Sequence, residues 1–366
     1  MTGRIVGRRQ AVIGTGAAAM TTAMGRAMAA DGDLAARLAE MQRDGRVYGL
    51  HVLLAARGGK LLFEHYGVGE DEAWGRKLGQ VTFGPTVLHD LRSVTKSIVG
   101  MLYGIALADR KVPPPQARLY DQFPEYADLA KQPGRERLTV AHVLSMTLGL
   151  EWDELTIPYG DPRNSENAME LSPDRYRYVL DRPMVVEPGL KWTYNGGCTA
   201  LLGRLIAKGT GDKLPDYARR VLFDPMGLGP TEWSNGLQGE AAAASGLRMR
   251  PPDLLRVGQM VLAGGAWQGG QIVPAAWLKQ STSPAVTIEG TFRYGWHWYL
   301  SEVPPGAPGQ GQGIISGIGW GGQRLFLLPG LDLAVAMNAG NYPKPGSEQR
   351  RIANALMFDL VLPAVA

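Results

Sequence analysis

The alternation of apolar and polar positions divides this 366-residue chain into recognisable elements. Leu34, Leu38 and Met41 recur at helical spacing behind Asp33, a capping residue, and Gly45 closes the segment. Residues 50–56 and 60–66 read as two strands joined around Gly58-Gly59, a hairpin signal. From 97 to 107 the chain is almost wholly apolar, which predicts a helix buried all round and stopped by Pro113-Pro114-Pro115. The middle alternates loops with helical patterns over 139–146, 199–208, 215–222 and 253–263. Strand patterns return at 294–300, at 324–328 and at 331–337, the last two paired across Pro329-Gly330, and a closing helix puts Ile352 and Leu356 on one face. The glycine-rich stretch 306–319 reads as flexible.

This order of sheet, helices, then sheet and helix predicts an α+β fold: an antiparallel sheet flanked by helices, with an inserted, mostly helical lobe. The sheet lobe takes residues 30–112 and 276–366, the helical lobe 113–275, and a site at their junction is the default expectation. Hydrophobic residues at 45% and charged residues at 20% describe a globular chain, not a disordered one. Glycine stands out, with 49 residues where a share of ~7% is usual.

Charge changes the picture at one end only. The chain carries 38 Lys+Arg against 34 Asp+Glu, a net charge of +4. Arg4, Arg8, Arg9 and Arg26 lie within residues 1–29, which hold no acid, so removing that segment leaves 34 of each sign. Paired arginines, a short Gly/Thr-diluted apolar stretch and the small-residue run Ala27-Met28-Ala29 predict a twin-arginine-type signal peptide. A periplasmic or secreted enzyme with no stable membrane insertion after processing is then expected, and the neutral remainder gives no charge-based case for nucleic acid. Cys198 is the sole cysteine, so no intramolecular disulfide forms. The five histidines (His51, His65, His89, His142, His297) show no metal-ligand spacing, and neither a metal nor another cofactor is expected. Gly14-Thr15-Gly16 imitates a dinucleotide-binding turn, but it lacks a credible preceding strand.

The candidate chemistry begins at Leu91-Arg92-Ser93-Val94-Thr95-Lys96. Ser93 opens the apolar helix and Lys96 lies one turn on, so the two side chains share a face. A lysine whose proton is displaced by burial can take the serine proton, and the helix N-terminus offers free N–H groups to an oxyanion. In Trp192-Thr193-Tyr194-Asn195-Gly196-Gly197, Tyr194 is placed to relay a proton. Gly317-Ile318-Gly319-Trp320-Gly321-Gly322-Gln323 matches G-x-G-x-x-G but leads into a strand, which excludes a dinucleotide turn. Gly321 and Gly322 instead suggest close approach of substrate to the backbone, with the Gln323 N–H as an oxyanion donor. The segment from Tyr159 onward is expected to line the cleft, and Ser165-Glu166-Asn167 reads as loop.

In this order the elements resemble the serine β-lactamase/penicillin-binding superfamily, in its class C-like branch with family VIII carboxylesterases and 6-aminohexanoate-dimer hydrolases. The resemblance runs over about residues 34–362 and includes Phe223-Asp224-Pro225-Met226-Gly227 and Tyr294-Gly295-Trp296. It implies a β-lactamase/transpeptidase-like fold, Ser93 as the acyl-forming nucleophile, Lys96 as its basic partner and Tyr194 as the catalytic tyrosine. Trp320, Gly321 and Gly322 resemble the third motif in its esterase form, with Ser93 and Gln323 supplying the oxyanion amides. Two departures shape the expected substrate. The second motif is usually Tyr-x-Asn, whereas here Asn195 comes one residue early and Gly196 takes the asparagine's place. The third motif begins with Trp320 in place of lysine or histidine, which removes a positive charge for a substrate carboxylate. A hydrolase of small neutral esters or amides is therefore expected. The alternatives are a D-alanyl peptidase or β-lactamase, or a non-catalytic peptide-binding member of the same fold.

Overall fold

Strand β1 (Leu50–Arg57) is buried over all but its last residue, because the sheet around it is covered on both faces. It pairs with β2 (Lys60–Tyr66) across the Gly58-Gly59 turn. The other strands of this sheet come from the far end of the chain: β3 (Val286–Glu289), β4 (Phe292–Tyr294), β5 (Tyr299–Glu302), β6 (Gly313–Gly319), β7 (Gln323–Leu328) and β8 (Leu333–Ala339). All eight run antiparallel in the order β3-β4-β5-β6-β7-β8-β1-β2. The computed structural model describes residues 33–365, so the signal peptide expected at 1–29 lies outside the described residues. Among the described residues no helix is long and apolar enough to cross a membrane.

Strand alternation sorts the apolar side chains into two cores. Val52, Leu54, Leu325, Leu327 and Ala336 face one, whereas Leu53, Ala55, Phe326, Leu328 and Val335 face the other. The helices that close them are α1 (33–43), α2 (Val94–Ala108), α3 (Gly196–Thr210), α4 (Pro251–Leu262) and α5 (Gly346–Asn354). Leu34, Leu38 and Met41 of α1 seal the second core together with Ile352 of α5 and Leu356 just beyond it. In the first core α2 is buried from Val94 to Ala106, as its unbroken apolar sequence requires. Gly104 leaves room there for the Trp277 ring, whose Nε1 donates to the Gly100 carbonyl at 3.0 Å.

The predicted α+β fold is present, with four local differences. The stretch 306–319 is not uniformly flexible: its second half is β6, a central strand. Two of its glycines reflect crowding, since a Cβ at Gly317 would lie 3.0 Å from Val94 and one at Gly319 would collide with the Leu91 carbonyl. The single strand read over 294–300 is split into β4 and β5, because His297 takes a left-handed φ of 64° between them. Ser165-Glu166-Asn167 starts a helix, Ser165–Glu170, whose first amides are capped by the Asn164 side chain. Finally α4, read as part of the helical lobe, packs on β1, β7 and β8, with Gly258 admitting Leu325 and Leu327.

Candidate active site

Ser93 is the N-cap residue of α2, and Lys96 follows within the first turn. Both are buried, at 8% and 2% exposure, so their contact is shielded from water. Lys96 Nζ donates to Ser93 Oγ at 2.9 Å and to the Ala244 carbonyl at 3.1 Å, which aims the amine at the hydroxyl. The residue before the serine, Arg92, sits at φ 48°, in the left-handed region that β-carbons disfavour. Ion pairs to Glu72 and to Asp90 at 3.0 Å fix the Arg92 guanidinium, which also lies 5.0 Å from the centre of the Tyr342 ring. Among the described residues the Ser93 amide donates to no protein acceptor, while those of Val94, Thr95 and Lys96 bond back to Leu91, Arg92 and Ser93. It is thus a free donor at a helix N-terminus.

Tyr194 arrives from the segment that enters α3, a helix packed against α2. Its ring centre is 4.8 Å from Lys96 Nζ. Burial, and then the nearby Glu154 carboxylate, push its phenol well above the usual range, while contact with the Ser93 hydroxyl acts the other way. The phenol is therefore protonated in the resting site and able to donate.

The remaining sequence candidates divide. Tyr159 and Trp320 meet edge to face, 5.4 Å between ring centres, the first donating to Glu154 Oε1 at 3.2 Å and the second to the Tyr342 carbonyl at 3.1 Å. Gly321 and Gly322, at φ 86° and 103°, make the turn from β6 to β7 and pack against Tyr342 and Ala339. Gln323 is paired with Gly319 in the ladder, and its side chain bonds to Ala339 and Trp320. That gives it a place inside the sheet. The open edge is residues 317–319, which run beyond the last β5 partner, Ser316, and against the start of α2. Asn195 is buried and spends its Oδ1 on the Cys198 amide at 3.1 Å, capping α3.

Sequence reasoning missed the carboxylates behind the lysine. Glu154 is completely buried, with Oε1 3.7 Å from Lys96 Nζ. Burial, then repulsion from Glu166, raise its pKa to about 7 against the pull of Lys96. Glu166 accepts from Ser245 Oγ at 2.9 Å, and Glu170 pairs with Arg175 at 3.1 Å. In the sequence these acids look like solvated loop and helix residues, and only the fold turns them inward. A second buried cluster, His51, Asp71 and His89, has the atom types of a metal site. There His51 Nδ1 and His89 Nε2 stand 2.9 Å apart, a hydrogen-bond separation, and His89 Nδ1 is 3.0 Å from the Asp90 carbonyl.

Comparison with known proteins shows the family and the fold. A family model described as Beta-lactamase matches residues 34–357. A 6-aminohexanoate-dimer hydrolase of Paenarthrobacter ureafaciens is 25% identical over 335 residues, covering 85% of this chain and 78% of the relative. Among solved structures, a candidate 6-aminohexanoate-dimer hydrolase from Bacillus anthracis superposes with a TM-score of 0.70 at 18% identity, covering 88% of this chain and 80% of the other. EstCE1, a hydrolase with promiscuous acyltransferase activity, gives 0.64 at 15% identity over 92% and 100% of the two chains. A penicillin-binding protein homologue from Caulobacter crescentus gives 0.65 at 18% identity over 91% and 97%.

Proposed function

From the premise that this chain belongs to the beta-lactamase family and is a hydrolase, we propose that it cleaves esters or linear amides through an acyl-enzyme on Ser93. The observation that carries this reading is the buried contact between Lys96 Nζ and Ser93 Oγ at 2.9 Å, with the Tyr194 phenol beside both. In the first step Ser93 Oγ bonds to the substrate carbonyl carbon while its proton passes to the amine of Lys96. The Ser93 amide and an amide of the open edge 317–319 face the oxyanion. Tyr194 donates its proton to the leaving alcohol or amine and regains one from Lys96, so the leaving group departs neutral. In the second step water attacks the acyl carbonyl, gives its proton to the same pair of groups, and Ser93 recovers its hydrogen.

The absence of a cation at the head of the turn, where Trp320 stands, favours neutral acyl groups over the carboxylate of a β-lactam. Tyr159 and Trp320, in edge-to-face contact, offer apolar surface to such a group. Kinetics with short p-nitrophenyl acyl esters, linear amides and a chromogenic cephalosporin test the proposal. Faster turnover of esters or linear amides than of the cephalosporin supports it, and inertness towards every ester and amide refutes it. Export through residues 1–29 is proposed on their arginine pair and small-residue site, and N-terminal sequencing of exported protein tests it.

A further inference from the structure

Glu154 is held by four residues at once. Its Oε2 accepts from the Gly196 amide at 2.6 Å and from Trp152 Nε1 at 2.9 Å. Its Oε1 accepts from the Tyr159 hydroxyl at 3.2 Å and lies 3.7 Å from Lys96 Nζ. A carboxylate with no access to water is costly unless it is paired and hydrogen-bonded, and this one is both. Space for it comes from Gly196, where a Cβ would stand 3.1 Å from Glu154 Oε2 and 3.4 Å from the Glu166 carboxyl carbon. Gly196 is also the position at which the second motif ordinarily carries asparagine. A side chain given up at 196 thus admits one arriving from residues 151–164.

We propose that Glu154 is a positioning residue for Lys96: it takes the space left by the motif's asparagine, holds the amine on Ser93 and stabilises the ammonium formed when Lys96 takes the Ser93 proton. The inference rests on the acyl-enzyme reading above. When the Ser93 O–H bond breaks, the proton goes to Lys96 and the cation forms 3.7 Å from an anion already fixed by three donors. Glu154 touches neither substrate nor the reacting carbon; it acts through the lysine.

The titratable and charged groups facing this pair are known from each packed element. They are Tyr159 on the same loop, Glu166 and Glu170 on the helix Ser165–Glu170, Tyr194 and Cys198 at the start of α3, and Tyr294, His297 and Tyr299 at the sheet edge. Of these, Glu166 acts most strongly on Glu154, raising its pKa, and Lys96 opposes it. The wild-type kcat then falls on the acid side of about 7, where Glu154 takes a proton.

The test measures pH profiles of kcat and KM for wild type, Glu154→Gln and Glu154→Asp, with fluorophosphonate labelling of Ser93 run in parallel. Glu154→Gln is expected to lower kcat roughly 10–100-fold with KM little changed and to remove the acid limb, because an amide neither titrates nor carries charge. Glu154→Asp retains the limb at reduced rate. If Gln and Asp lose rate equally with the same limb, or if the loss falls on KM, Glu154 is structural only and the inference fails. Should the Gln variant not fold, the Asp variant decides alone: a reduced kcat with KM kept upholds the inference, and a loss that falls on KM overturns it. Labelling separates the two layers: an unlabelled wild-type Ser93 brings down the acyl-enzyme reading, whereas a labelled Ser93 with an unmoved limb brings down the Glu154 role alone.

Discussion

At the scale of residues, the site is a chain of short contacts that burial makes strong. Lys96 has two fixed acceptors, Ser93 Oγ and the Ala244 carbonyl, so its position does not depend on substrate. Tyr194 is kept as a neutral phenol by burial and by Glu154, which suits a group that donates to a leaving alcohol or amine. Tyr194→Phe removes that proton without changing the ring, so kcat should drop by about 10²–10⁴-fold while the melting temperature moves little. Equal loss of stability and activity would reduce Tyr194 to a packing residue. Ser93, Lys96 and Tyr194 were legible in the sequence because the first two are linked by helical spacing and the third marks a helix entry. Glu154 was not, because its role depends on contacts with Lys96 and Gly196, residues far from it along the chain. The surroundings of Gln323 were not legible for a related reason. A glycine pair before a strand predicts close approach but does not say which strand edge is left open.

At the scale of elements, the position of Ser93 depends on a strand that looks unlike one. β6 carries Gly313, Gly317 and Gly319, a composition that weakens strand propensity and hides it from pattern reading. Only the packed structure shows why glycine is needed there. A side chain at 319 would collide with the Leu91 carbonyl and stand 3.1 Å from Arg92 Cβ, on the approach to Ser93. Gly319→Ala should therefore destabilise the fold by ~1–3 kcal/mol and also lower kcat, as the Leu91-Arg92 backbone is pushed aside. Gly313→Ala, at the other end of the same strand with open space around it, is the matched control and should leave kcat unchanged. Thermal unfolding and turnover of the two variants decide the point; equal behaviour would refute the close-approach argument. The apolar helix α2 and the final hairpin were legible because each is defined by local periodicity.

At the scale of the whole molecule, one sheet is closed by the two ends of the chain, with cores on both faces. The burial this demands also encloses three histidines. Burial holds His51 and His297 at about 4, and His89 at about 3, well below the usual 6.5. Below pH 6.5 the unfolded chain binds protons that these folded histidines refuse, so their stabilising effect is complete above 6.5 and is lost as pH falls towards 4. Glu154 and Glu170, both raised to about 7 chiefly by burial, act in the opposite sense, binding protons in the folded state between their unfolded value of 4.5 and 7. Across this window three histidines oppose two carboxylates, so the melting temperature should fall from pH 6.5 to 4.5. His297→Asn should flatten that slope, and a melting temperature that rises on acidification would contradict the balance.

The most direct test of the central claim is mass spectrometry of the folded protein after reaction with a fluorophosphonate. The account predicts one adduct per chain, on Ser93, absent from Ser93→Ala and slowed in Tyr194→Phe. An adduct on another residue, or none on folded protein that hydrolyses esters, would contradict it.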